Sequence, residues 1–157
     1  MYICYNKHAM NLFSKIILKI LKENTLSIIQ GNKNSKIGSA FRIGNYASFS
    51  IDSSASLIIG DGVNLKNYCN FVLAKNAELV IGNNVFMNNY CSINTIEKIE
   101  IGENTLFGEG VKLYDHNHEY STEKVEHYRF STSPIKIGKD CWLGSNVTVL
   151  KGVTIGN

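Results

Sequence analysis

Three of the four histidines, His116, His118 and His127, fall in one short stretch, Tyr114-Asp115-His116-Asn117-His118-Glu119-Tyr120, followed by His127-Tyr128-Arg129-Phe130. Imidazole is the side chain best suited to accept a proton near neutral pH, so this stretch is where general-base chemistry is to be sought. Two other readings compete with it. The histidines serve as polar surface residues, or His116, His118 and His127 act together as three ligands of a zinc or iron ion. Cys4, Cys69, Cys91 and Cys141 show no CxxC or CxxxC spacing and indicate neither a zinc site nor a disulfide framework. A reduced, cytoplasmic protein is the default expectation.

The elements that must position those histidines come from a repeat. From residue 37 onward the dipeptide Ile-Gly occurs seven times, at steps of 6, 16, 22, 20, 36 and 18 residues. Hexads with an aliphatic residue first and a small residue fifth fill the intervals, as in Ile101-Gly102-Glu103-Asn104-Thr105-Leu106 and Ile137-Gly138-Lys139-Asp140-Cys141-Trp142. A hexad of this kind describes a short strand and a corner: the aliphatic side chain points inward, Gly or Asn takes the turn, and the small residue packs beneath. Three hexads make an 18-residue coil of triangular section, and stacked coils share a column of Ile, Val and Leu that none could bury alone. The pattern predicts a parallel β-helix, with the steps of 20 and 22 read as coils carrying short corner insertions. Cys69, Cys91 and Cys141 each occupy a fifth position, so structural roles are expected for all three.

The 36-residue step is two times 18, so one excursion of a coil's length leaves the column between Leu113 and Pro134, and the repeat resumes in phase at Ile137. Long excursions without structure of their own are usually functional, and this one carries the histidines. Ahead of the repeat, Phe13, Ile16, Ile17, Ile20 and Leu21 recur at three- and four-residue spacing with lysines between them. They predict one amphipathic helix over residues 8–23, which covers the open end of the repeat or lies on an anionic membrane surface. Lys15 and Lys19 interrupt this stretch, so neither a signal peptide nor a transmembrane span is expected. The domain division that follows is residues 1–30 as helix and lead-in, and 31–157 as the repeat domain with its loop at 113–134. The chain has 157 residues, 16 Lys+Arg and a formal net charge of +3, scattered rather than clustered, so a nucleic-acid surface is not expected.

The in-phase hexads, the histidine-bearing loop and the resumption as Ile137-Gly138-Lys139-Asp140-Cys141-Trp142-Leu143-Gly144-Ser145 resemble the hexapeptide-repeat acyltransferases, in their sugar and xenobiotic O-acetyltransferase branch, over residues 37–157. The resemblance implies a left-handed β-helix, a homotrimer, acetyl-CoA as donor, and active sites in clefts between subunits. Counting eleven positions from Phe107, as that branch implies, gives His118 as general base, with His116 as a neighbour lining the acceptor site. The acceptor-side asparagine matches Asn88. Trp142 resembles a tryptophan of the site wall, and Ser145 matches the position whose backbone N–H faces the thioester oxygen. Asp115 and Glu119 are the nearby candidates for orienting His118.

The short segment before the repeat resembles relatives that acetylate capsule, O-antigen or exopolysaccharide sugars, which makes a glycan the expected acceptor. No metal is expected. The alternatives are a metal-dependent β-helix enzyme of the γ-carbonic anhydrase type and a non-catalytic β-helix scaffold. Ile155-Gly156-Asn157 opens a further hexad, and the resemblance implies more coils there that grip CoA, so truncation at the C-terminus is an expectation as well.

Overall fold

The computed structural model describes residues 12–157. Its strands form three parallel sheets of six, four and five members, one for each face of a triangular column, and a separate two-stranded antiparallel pair. The first face runs through Lys36–Ile37, Ser56–Ile59, Glu78–Ile81, Lys98–Ile101, Ile135–Ile137 and Thr154–Ile155. The second holds Asn64–Leu65, Phe86–Met87, Leu106–Phe107 and Trp142–Leu143. The third holds Ser48–Ile51, Asn70–Leu73, Ser92–Thr95, Lys112–Tyr114 and Thr148–Leu150. Each chain segment visits the three faces in turn, so the fold is the parallel β-helix that the hexads predict.

The spacing of the Ile-Gly dipeptides is the spacing of the coils. Ile59 pairs with Ile81, Ile81 with Ile101, Ile101 with Ile137 and Ile137 with Ile155. The 22-residue coils differ from the predicted 18-residue pattern in their strands as well as their corners: on the first and third faces these strands are four residues long, against two or three in the last coil. Alternate residues of each strand face inward, and Leu57, Leu79, Ile99 and Ile135 stack at 0% exposure beside Phe71, Met87, Ile93 and Leu113. At about 25 cal/mol per Å² of apolar surface, this continuous column is the main stabilising term. Cys69 and Cys91 are buried in it, and Cys141 lies at its margin with 9% exposure.

The corners are built differently from the expectation that Gly or Asn makes the turn. The left-handed residue is the fourth of the hexad, and it is Ala40, Tyr46, Tyr68, Tyr90 or Asp140 as well as Asn or Gly. The glycine of Ile-Gly is required for closeness instead: a Cβ on Gly82 would lie 2.6 Å from the Glu103 amide nitrogen of the next coil. Three tyrosines accept the left-handed conformation in successive coils, and their rings stack, Tyr46 on Tyr68 and Tyr68 on Tyr90, both at 5.0 Å.

The helix spans Leu12–Gly31, eight residues beyond the predicted end at 23, while predicted positions 8–11 lie outside the described residues. Its extension has a packing cause. Leu18 and Ile29, three turns apart, form its buried edge against the strand Ser48–Ile51, and the Thr25 hydroxyl donates to the carbonyls of Leu21 and Ala47 at 2.9 and 3.2 Å. The polar Asn24-Thr25 pair breaks the apolar period without breaking the helix, because Thr25 finds acceptors there.

Candidate functional site

The histidine-bearing excursion is an antiparallel hairpin, not an unstructured loop. Its outgoing strand is His116–Tyr120 and its returning strand Val125–Thr132, with an irregularity between His118 and Tyr120. It leaves the column at the edge between the third and first faces, after Lys112–Tyr114 and before Ile135–Ile137. The Ser133 amide donates to the Asp115 carbonyl at 3.0 Å, which closes its base.

Asp115 anchors this exit. It is fully buried, and its carboxylate accepts from the Thr95 hydroxyl at 2.5 Å and from the amides of Ile96 and Glu97 at 2.8 Å each. Those donors belong to the tight corner of the coil beneath, so one side chain caps that corner and fixes the start of the hairpin. The same carboxylate lies 3.1 Å from Nδ1 of His116.

Alternation along a strand puts His116 and His118 on one face of the hairpin. Phe130, directly opposite His118 in the register, packs between them, 4.6 Å from the His118 ring and 5.4 Å edge-on from the His116 ring. His118 Nδ1 lies 2.9 Å from the main-chain oxygen of Glu126. A carbonyl oxygen only accepts, so Nδ1 carries the hydrogen and Nε2 keeps its lone pair. His118 is exposed and lines a depression of about 400 Å³ with Asn117, Glu119, Tyr120, Ser131 and Lys151.

Neither candidate for orienting His118 does so. Asp115 pairs with His116, and Glu119 pairs with Arg129 at 3.7 Å. Arg129 also bonds Glu126 at 2.8 Å, and Lys124 followed by Arg129 holds the Glu126 carboxyl below the ordinary glutamate range. The main-chain oxygen of Glu126 and the ring of Phe130 are the partners that sequence reasoning missed. Phe130 carried a signal in its place within the excursion, but a backbone oxygen carries none. The His127 ring lies tilted beside that of Tyr128, at 6.3 Å, and makes no ring contact with the other two histidines among the described residues. Among the described residues, no group of three or more His, Cys, Asp or Glu side chains is arranged to hold a metal ion.

The other expected site residues lie elsewhere on the column. Asn88 sits at the corner between the second and third faces, where its side chain accepts from the Asn89 amide at 2.8 Å. Ser145 occupies the same corner two coils later, and its amide makes no hydrogen bond among the described residues. Trp142 stands 80% exposed on the second face beside Leu106. Within one chain, then, His116 and His118 share one edge of the triangle, while Asn88, Trp142 and Ser145 share the opposite side. Cys69, Cys91 and Cys141 are all buried; hydrogen bonding with Cys91 and burial push the Cys69 thiol above the ordinary range, while the same contact with Cys69 lowers that of Cys91.

A family model described as hexapeptide repeat of succinyl-transferase matches residues 134–157. The chain is 38% identical over 74 residues to the putative lipopolysaccharide biosynthesis O-acetyl transferase WbbJ of Escherichia coli, covering 41% of this chain and 38% of that protein. It is 32% identical over 66 residues to the putative colanic acid biosynthesis acetyltransferase WcaF of Escherichia coli, covering 42% of this chain and 35% of that one. A probable acetyltransferase of Mycobacterium tuberculosis is 38% identical over 66 residues, covering 41% of this chain and 22% of its own length. The chain thus spans well under half the length of each of these three relatives.

Proposed function

We propose that this chain, which is similar to the hexapeptide-repeat acyltransferases, is an acetyl-CoA-dependent O-acetyltransferase whose acceptor is a sugar hydroxyl in surface-polysaccharide biosynthesis. Capsule, O-antigen and exopolysaccharide sugars are the acceptor class, and the cytoplasm, where acetyl-CoA is made, is the place of reaction. The relatives named for lipopolysaccharide and colanic acid biosynthesis support the acceptor class.

The observation that carries the chemistry is the 2.9 Å contact between His118 Nδ1 and the Glu126 carbonyl. It leaves Nε2 free to accept the proton of the sugar hydroxyl as that oxygen attacks the thioester carbonyl. The resulting oxyanion is stabilised by a backbone donor, for which the unbonded Ser145 amide is the candidate; such a donor typically contributes on the order of 10²–10³ in turnover. Collapse breaks the C–S bond, and the sulfur takes the proton back from the imidazolium, giving the acetyl ester and free CoA. No acyl-enzyme is required, which suits cysteines committed to packing.

Asn88 and Trp142 as acceptor residues, and Ser145 on the donor side, lie on the side of the column opposite the edge from which the His118 hairpin leaves. A site using all of them needs the hairpin of one subunit against the second-face edge of another, which supports a homotrimer with three sites at its interfaces. His116, locked to Asp115, lines the acceptor side beside Phe130.

The test is acetyl transfer from acetyl-CoA to a panel of nucleotide-linked and lipid-linked sugars, read by mass spectrometry as gain of one acetyl group. Acetylation of at least one sugar, abolished in His118→Ala, is the expected result. Wild-type rates in His118→Ala would remove His118 from the mechanism.

A further inference from the structure

The N-terminal helix buries only one narrow edge. At 3.6 residues per turn, Ile16 and Ile20 lie roughly opposite the buried Leu18, and Phe13 and Ile17 flank them on the same outward side. Phe13 is 70% exposed, Ile16 48%, Ile17 40% and Ile20 49%. This contiguous apolar stripe is not core, because the helix meets the column with Leu18 and Ile29.

Beside the stripe, on the flank between it and the column, Lys15, Lys19 and Lys22 line a groove of about 380 Å³ with Leu18, Glu23 and Asn45. Lys19 reaches Glu23 only at 3.9 Å, and Lys15 and Lys22 pair with no carboxylate among the described residues. Three ammonium groups face one carboxylate there, so the groove suits phosphate oxygens. An outward apolar stripe with cations along its margin matches a surface whose own chemistry is anionic at the rim and hydrocarbon beneath. Among the described residues no helix is long and apolar enough to cross a membrane. A second copy of this chain fits the face less well, since a two-fold contact through the stripe would bring lysines towards lysines.

We propose that the helix Leu12–Gly31 is a membrane-docking element that lies in the plane of an anionic phospholipid bilayer, with Phe13, Ile16, Ile17 and Ile20 inserted and Lys15, Lys19 and Lys22 on headgroup phosphates. This goes beyond the acyltransfer reaction and does not depend on it. Docking would place the column against the surface on which lipid-linked glycans are carried.

The experiment is co-sedimentation of the whole protein with vesicles of phosphatidylglycerol and phosphatidylcholine in equal parts, compared with phosphatidylcholine alone. Binding to the anionic vesicles is expected, weakened about tenfold by omission of the anionic lipid or by high salt. The double variant Ile16→Glu/Ile20→Glu is expected to lose vesicle binding at unchanged melting temperature and unchanged mass by light scattering. Lys15→Gln/Lys22→Gln is expected to weaken binding about tenfold while leaving the fold intact. Failure of the wild-type protein to sediment, unchanged sedimentation of the double glutamate variant, or a drop in its molecular mass would each overturn the proposal, the last by showing that a second copy covers the stripe. Sedimentation reads docking without acetyl-CoA, so failure here leaves the acyltransfer reading standing, and failure of acyl transfer leaves docking standing.

Discussion

Asp115 and Thr95 meet across two successive coils at 2.5 Å, and through that contact the hairpin and the corner beneath it become one structure. The carboxylate also takes two corner amides and the His116 ring, and the side chain is wholly buried. Asp115→Asn presents an N–H where an acceptor is needed and leaves at least one buried donor unmatched. It is expected to lower stability by about 1–3 kcal/mol, read as a shift in the urea midpoint at unchanged m-value. Activity should fall with it, since the exit of the hairpin is no longer fixed. Unaltered stability would mean that the corner is capped in another way.

His118→Ala removes the proposed base without touching the column. Turnover is expected to fall about 10²–10⁴-fold, with a melting temperature within a degree or so of wild type because the side chain is exposed. Steady-state release of CoA, followed with a thiol reagent, measures the first quantity, and calorimetry the second. His116→Ala should differ in kind, raising KM for the sugar more than it lowers kcat and costing stability through the lost contact with Asp115.

An interfacial site makes a prediction about mixtures. In the proposed homotrimer, His118→Ala and Asn88→Ala are each expected to be nearly inactive when assembled alone. Unfolded together in equal amounts and refolded, they should recover about a quarter of wild-type activity, because random assembly brings an intact hairpin against an intact Asn88 edge at that frequency. No recovery, with trimers confirmed by light scattering, would place both residues in one subunit's site.

Gly82 has no unusual φ but no room either. In Gly82→Ala the new methyl group meets the Glu103 amide at 2.6 Å and the Gly102 carbonyl carbon at 2.9 Å, all of it backbone that a neighbouring coil holds in place. Destabilisation of about 1–3 kcal/mol is expected from the forced separation of the coils, measured by thermal or urea unfolding. Gly31→Ala, which meets nothing within 4 Å, is the control and should be near neutral.

Two exposed aspartates give the acid limb of stability its sign. The Ser54 hydroxyl and amide hold the Asp52 carboxyl below its ordinary range, and the Ser39 amide and hydroxyl do the same for Asp61. A carboxyl whose folded-state pKa is depressed contributes stability that is present above the unfolded value, about 3.9, and is lost as pH falls through the folded one. The double variant Asp52→Asn/Asp61→Asn should therefore melt at a less pH-dependent temperature between about pH 5 and pH 3 than the wild type. An unchanged slope would assign acid sensitivity to other carboxylates.

The column was legible because one period governs it. The recurrence of Ile-Gly at Ile59, Ile81, Ile101, Ile137 and Ile155, at unequal steps of 22, 20, 36 and 18 residues, becomes direct pairing in space, and Cys69 and Cys91 follow from counting to the fifth residue. The features that escaped depend on contacts between segments whose registers the period does not set. Tyrosine at three left-handed corners is tolerated because the rings stack on one another across coils, a reward invisible within any single hexad. The pairing of Asp115 with His116, and of His118 with the Glu126 oxygen, follows from the hairpin register and from the tightness of the corner at Ile96-Glu97. The helix outran its apolar pattern because Ile29 packs on the column and Thr25 found a carbonyl at Ala47, just ahead of the strand Ser48–Ile51.

The three pairs that link Ile99, Glu100 and Ile101 to Ile135, Lys136 and Ile137 pass directly beneath the hairpin, whose two ends are joined by the hydrogen bond from Ser133 to Asp115. The excursion is therefore a cassette closed at its base: the ladder on either side keeps its partners without any residue from His118 to Thr132. Variation in the hairpin away from His116 and His118 is thereby uncoupled from the ladder of the column that presents it.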